Sequence, residues 1–130
     1  MSKKRGSHDL ARRERQIMDV IFQLGEASVG EVLKQLTEPP SYSSIRTIIR
    51  QMEAKGLLTH RQDGKRYVYQ ATQSRETASL TALQRLMDVF FSGSAPDAVA
   101  AILDVSSDKL APSDLDRISE IIEQARKEGK

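Results

Sequence analysis

Between Ser41 and Glu53 one flank of the chain carries Ser43, Ser44, Arg46, Thr47, Arg50 and Gln51, almost all hydrogen-bond donors, with no acid before Glu53. An ordinary solvated helix face mixes its signs, so a one-sided donor stripe points to an acceptor-rich, anionic surface. Arg46 or Arg50 has the fork to donate twice to a guanine edge, and Thr47 offers a hydroxyl to a base edge and a methyl to thymine. Tyr42, Ser43 and Ser44 stand at a helix start, where hydroxyls and free amides suit a phosphate. A second group of cations, Arg61, Lys65 and Arg66, surrounds an Asp63-Gly64 pair and would follow a nucleic-acid backbone or enter a minor groove. Ser28 occupies the equivalent place on a shorter helix, where a simple cap competes with a phosphate contact. Arg12 and Arg13 compete in the same way with ordinary surface charge.

Other chemistry has few candidates. The chain has no cysteine and only two histidines, which removes disulfides, thiolate metal sites and cysteine nucleophiles together. His60, in a strand-like run with no second imidazole or carboxylate cluster, reads as a surface or partly packed residue, and His8 as part of an N-terminal tail. No Gly-rich phosphate loop, nucleophile elbow or metal-spaced cluster is present. The expectation is a protein without catalysis, cofactor or metal. The aromatic pairs Phe90-Phe91 and Tyr67, Tyr69 fall at spacings expected of core or subunit interface, and Asp114 and Asp116 at a helix start that they complement electrostatically.

The length of 130 residues allows one domain or two very small ones. Residues 1–71 hold 13 Lys and Arg against 8 Asp and Glu, a net of +5, whereas residues 72–130 hold 7 against 10, a net of −3. Only the first part is therefore expected to meet a polyanion. No apolar run is long enough for a membrane span or a signal-peptide core after Lys3, Lys4 and Arg5, so the expected location is the cytoplasm, with no direct membrane binding.

The elements that must carry these residues follow from punctuation. Leu10, Ile17, Val20, Ile21 and Leu24 recur at helical spacing before Gly25, which predicts a first helix over 10–24. Ser28-Val29-Gly30-Glu31 has the form of a capping box and predicts a short second helix ending before Pro39-Pro40. Ser41 to Ser44 offers several caps to a third helix reaching Lys55, with Ile45, Ile48, Ile49 and Met52 on its apolar stripe and Gly56 as its stop. From Leu57 the period changes to two, and Leu57–Arg61 and Arg66–Gln70 joined through Asp63-Gly64 predict a hairpin. Three helices and a hairpin with a basic tip describe a winged helix-turn-helix over 1–72, mainly α with a small β-hairpin wing, whose third helix would enter the major groove of DNA.

Residues 73–130 read as helical only. Leu80, Leu83, Met87, Phe90 and Phe91, with Leu86, line a helix from about Ser74 to Gly93. Val99, Ile102 and Leu103 follow Pro96, and Leu115, Ile118, Ile121 and Ile122 follow Pro112. Three short helices with wide apolar stripes seldom bury enough surface alone to offset chain entropy. A helical dimerisation domain is expected, a two-fold homodimer being the commonest closed assembly.

The runs Arg12–Met18, Ser28–Val32 and Ser41–Leu58, and the hairpin Gly64–Tyr69, together resemble the penicillinase-repressor family of the BlaI/MecI/CopY type. The resemblance is collinear from about Leu10 to Gln124 and most specific from Ser44 to Leu58. It implies a bacterial homodimeric transcriptional repressor whose winged helices bind a dyad-symmetric operator and whose C-terminal helices interlock. It also implies release by one of two routes. In one, a membrane sensor triggers proteolysis at an Asn-Phe bond in the dimerisation region, where this chain reads Val99-Ala100-Ala101-Ile102-Leu103. In the other, paired cysteines hold copper, and this chain has none. Two rival readings stay open: a winged-helix module whose donor-rich helix binds an acidic protein, and a ligand-sensing regulator with an effector site among its C-terminal helices.

Overall fold

The computed structural model describes residues 2–129, and the side chains of residues 10–129. Six helices and three strands follow one another as α1 (Ser2–Leu24), β1 (Ala27–Ser28), α2 (Val29–Gln35), α3 (Tyr42–Ala54), β2 (Leu58–Asp63), β3 (Arg66–Ala71), α4 (Arg75–Phe90), α5 (Ala95–Val105) and α6 (Pro112–Lys127). The mainly helical class with a small wing is therefore as expected. α1 starts earlier than the predicted Leu10, β2 runs on to Asp63, and β1 is an element that the sequence did not announce. His8 falls outside the described side chains.

Local chemistry explains most boundaries. The amide of Gly25 donates to the carbonyl of Ile21 and closes α1, with Gly25 at a φ of +86° that an L side chain rarely adopts. The Arg75 guanidinium donates to the carbonyls of Phe22 and Gln23 at the same helix end. α2 begins in the reciprocal cap expected of it: the Ser28 hydroxyl accepts from the amide of Glu31, and the Glu31 carboxylate accepts from the amide of Ser28. At α3 the cap is Ser41, whose hydroxyl accepts from the amide of Ser44. Its far end is a Schellman motif in which Gly56 donates to Glu53 and Leu57 to Met52.

The chain divides into two compact units, Met1–Ser79 and Leu80–Lys130. In the first, Ile17 and Ile21 of α1, Val32 of α2, and Ile45, Ile49 and Met52 of α3 are fully buried, and Leu58 and Tyr69 of the sheet join them. Each such aliphatic side chain contributes roughly 1.5–3 kcal/mol on removal from water. The sheet is antiparallel in the order β1-β3-β2. β2 and β3 pair from Leu58 opposite Ala71 to Asp63 opposite Arg66, leaving Gly64-Lys65 as the two-residue turn, whereas β1 reaches only Tyr69 and Val68. Gly64 has a φ of +65°, so the turn takes its left-handed residue at the first central position, the place for glycine in a type II′ hairpin.

In the second unit Ala98 is the one hydrophobic residue that is buried among those described. α5 starts from Ser94, whose hydroxyl accepts from the amide of Asp97, and α6 from Ala111, whose amide donates to the Asp114 carboxylate. Leu83, Leu86 and Phe90 of α4, with Phe91 just after it, face Ala98, Ala101, Ile102 and Val105 of α5 across an apolar cleft of about 380 Å³. Among the described residues no single helix is long and apolar enough to cross a membrane.

Candidate nucleic-acid interface

α3 presents its two stripes as its periodicity demands. Ile45, Ile49 and Met52 are fully buried, which turns Ser43, Ser44, Arg46, Thr47, Arg50 and Gln51 outward, all of them exposed. Between this helix and the hairpin lies a groove of about 500 Å³. Its walls are Ser28, Val29 and Gly30 from the start of α2, Tyr42, Arg46 and Arg50 from α3, and Gln62, Lys65, Arg66, Tyr67 and Tyr69 from the hairpin. Four of these residues are cations and none is an acid.

The structure thus brings six of the sequence-predicted contact residues into one concavity: Ser28, Tyr42, Arg46, Arg50, Lys65 and Arg66. Ser43, Ser44 and Thr47 lie exposed on α3 without lining it. The Ser41 hydroxyl donates to that of Ser44 at 3.0 Å, and Thr47 donates its hydroxyl to the carbonyl of Ser43 at 2.9 Å, which leaves the Thr47 oxygen free as an acceptor. Arg12 is exposed on α1 and apart from the groove. Ser28 is 7% exposed and its oxygen is engaged in the cap of α2.

The cations differ in how far they are already satisfied. Among the described residues Arg46, Arg50 and Lys65 form no ion pair. Arg61 donates to Glu26 at 2.6 and 3.1 Å, and Arg66 meets Asp63 at 3.3 Å and Glu31 at 3.5 Å. These pairs are exposed and individually weak. The Ser28 amide, then its hydroxyl, and more distantly Arg66, hold the Glu31 carboxyl below its ordinary 4.5. Burial and the nearby Glu53 push the Tyr69 phenol up, against the opposing pull of Arg50 and Arg46.

One expectation changes here, whereas His60 is exposed, in line with the surface position expected of it. Tyr69 is buried in the core as expected, but Tyr67 is 44% exposed and faces the groove, so the pair does not share one role. Alternation alone places Tyr67 and Tyr69 on one face of the sheet; the core ends before it reaches Tyr67. His60 does find a carboxylate, since Nδ1 lies 2.5 Å from Oε2 of Glu53 on α3. Gln62, Val29 and Gly30 were not anticipated as lining residues, because only the approach of α2 and the hairpin to α3 puts them there.

Helices α1 to α3 with a paired hairpin and a cationic groove define a winged helix-turn-helix protein with an added helical unit. Residues 10–124 match the family model described as Penicillinase repressor, and the chain belongs to that family. It is 23% identical over 119 residues to the penicillinase repressor of Bacillus licheniformis, covering 90% of this chain and 91% of that relative. The family is one of bacterial transcriptional repressors, regulators rather than enzymes.

Proposed function

We propose that the protein is a homodimeric repressor that occupies a dyad-symmetric DNA operator and excludes the polymerase. The observation that carries this is the groove between α3 and the wing, with Arg46, Arg50, Lys65 and Arg66 on its walls and no acid among its described lining residues. α3 enters the major groove, where Arg46 or Arg50 donates to guanine and Thr47 presents a methyl and an acceptor oxygen. Tyr42, Ser43 and Ser44 hold phosphates, Lys65, Arg66 and Arg61 follow the backbone, and Ser28 and Arg12 lie at the margins of the contact.

The second unit supports pairing. Leu80, Leu83, Phe90, Val99, Ile102, Leu115 and Ile122 are exposed large apolar side chains, beside the half-buried Met87, Phe91, Leu103 and Ile118. Leu86, Val89, Val105 and Ile121 extend that surface. So much uncovered apolar area is far more than a monomer usually leaves to water. A partner copy would bury it and present two basic heads to one duplex at high effective concentration. Release then needs only separation of the subunits. Proteolysis of the arm under a membrane sensor is the route we propose, at a bond other than Asn-Phe.

The test is binding of the full chain to duplexes selected from random sequence. Log affinity should fall steeply with log salt, and Arg46→Ala should cost about 1–3 kcal/mol and relax preference at one base pair. Salt-insensitive binding, or affinity untouched by Arg46→Ala, would favour an acidic protein partner instead.

A further inference from the structure

The wing tip projects beyond the support of the third strand. β1 pairs with Val68 and Tyr69 only, so beyond the Arg61–Val68 pair the segment Gln62 to Tyr67 forms a two-stranded extension, an arrangement marginally stable by itself. Something must fix its angle to α3. Glu53, in the last turn of α3, places Oε2 2.5 Å from Nδ1 of His60 on β2. The His60 ring stacks on Tyr67 of β3, with centroids 4.3 Å apart and planes 24° apart. His60 stands opposite Tyr69 in the register, so Tyr67 is its diagonal neighbour on the same sheet face. This links the recognition helix through an imidazole to an aromatic at the mouth of the groove.

Tyr67 contributes nothing to the core, and among the described residues its phenol has no hydrogen-bond partner. Its ring lines the groove with Arg46, Arg50 and Lys65. A phenol held there presents one neutral donor to an anion between cations.

We propose that Tyr67 donates its hydroxyl to a backbone phosphate of bound DNA, and that His60 and Glu53 are positioning residues that set the reach of that hydroxyl from α3. This rests on the DNA reading above. Its test uses the full-length protein and a selected duplex, with affinity followed by fluorescence anisotropy at several salt concentrations. Tyr67→Phe keeps the ring and its stack and should weaken binding about tenfold for each head, as loss of a hydrogen bond to a charged group does, with the salt slope unchanged because no charge is removed. His60→Ala should weaken binding similarly and add little to Tyr67→Phe in the double variant, whereas an unrelated structural defect would add fully. Glu53→Gln should weaken binding roughly threefold although it removes a negative charge beside the groove. A Glu53 that acted only as surface charge would give tighter binding when neutralised. Wild-type affinity in Tyr67→Phe, full additivity in the double variant, or tighter binding by Glu53→Gln overturns the inference, while a loss in Arg46→Ala leaves the DNA reading standing. Failure of the unaltered protein to select any duplex overturns both.

Discussion

Lys65 and Arg61 lie four residues apart on the same hairpin, yet Arg61 donates twice to Glu26 whereas Lys65 forms no ion pair among the described residues. A cation already paired with a carboxylate exchanges one partner for another on meeting phosphate, so its net gain is smaller. Lys65→Ala in a two-headed complex should therefore flatten the slope of log affinity against log salt by roughly two, about 0.9 for each head, and Arg61→Ala by clearly less. Titrations at several ionic strengths measure both. Glu31 gives a pH test at the same scale. Its carboxyl is held below the ordinary value of 4.5 by the Ser28 amide and hydroxyl, so its stabilisation is present above about 4.5 and is lost as pH falls through the lower folded-state value. Glu31→Gln should flatten the acid side of the stability profile in that window, as followed by urea unfolding at stepped pH. A variant as acid-sensitive as the unaltered protein would contradict this.

At the scale of elements, the join between α3 and the wing is the sensitive one. Gly56 adopts a φ of +84°, and its amide and that of Leu57 close the end of α3 on Glu53 and Met52. A Cβ at Gly56 would meet nothing within 4 Å, so the cost of Gly56→Ala comes from backbone conformation alone. That cost is about 1–2 kcal/mol and should appear as a lower urea midpoint with an unchanged m-value. Ser28→Ala removes the side-chain cap of α2 and leaves the backbone pairing of β1 with Val68 intact, so it should cost about 1 kcal/mol, measured as a lower urea midpoint.

The whole molecule joins two units of opposite character. The first has a closed apolar core beneath an open cationic groove, and the second has exposed apolar faces with Phe90 at 73% and Val105 at 80% exposure. In the proposed dimer the second unit acquires its core only on pairing, so assembly and folding of that unit are one event. Phe90→Glu should shift the protein to monomer in sedimentation equilibrium. Affinity for a palindromic duplex should fall by about 100-fold or more as the effective-concentration advantage is lost, while affinity for a single half-site is retained. A dimer that survives this charge would relocate the interface away from the α4–α5 surface.

Much of this was determined by the sequence alone, wherever the deciding interactions span a few residues. Caps at Ser28 and Ser41, stops at Gly25 and Gly56, the Asp-Gly hairpin and the two stripes of α3 are all set within a turn or across one tight loop. The tertiary structure decided the rest. β1 exists because Ala27 and Ser28 meet the free edge of β3, which no two-residue pattern can announce. Arg61 is tied to a partner 35 residues away and Lys55 to Glu14 at a separation of 41, so neither pairing could be read from spacing. Tyr67 and Tyr69 look alike in a period of two and both line the groove, and only the extent of the packed core separates a buried ring from an exposed one. Alternation selects a face of the sheet, but packing against α1 and α3 determines how far along that face water is excluded.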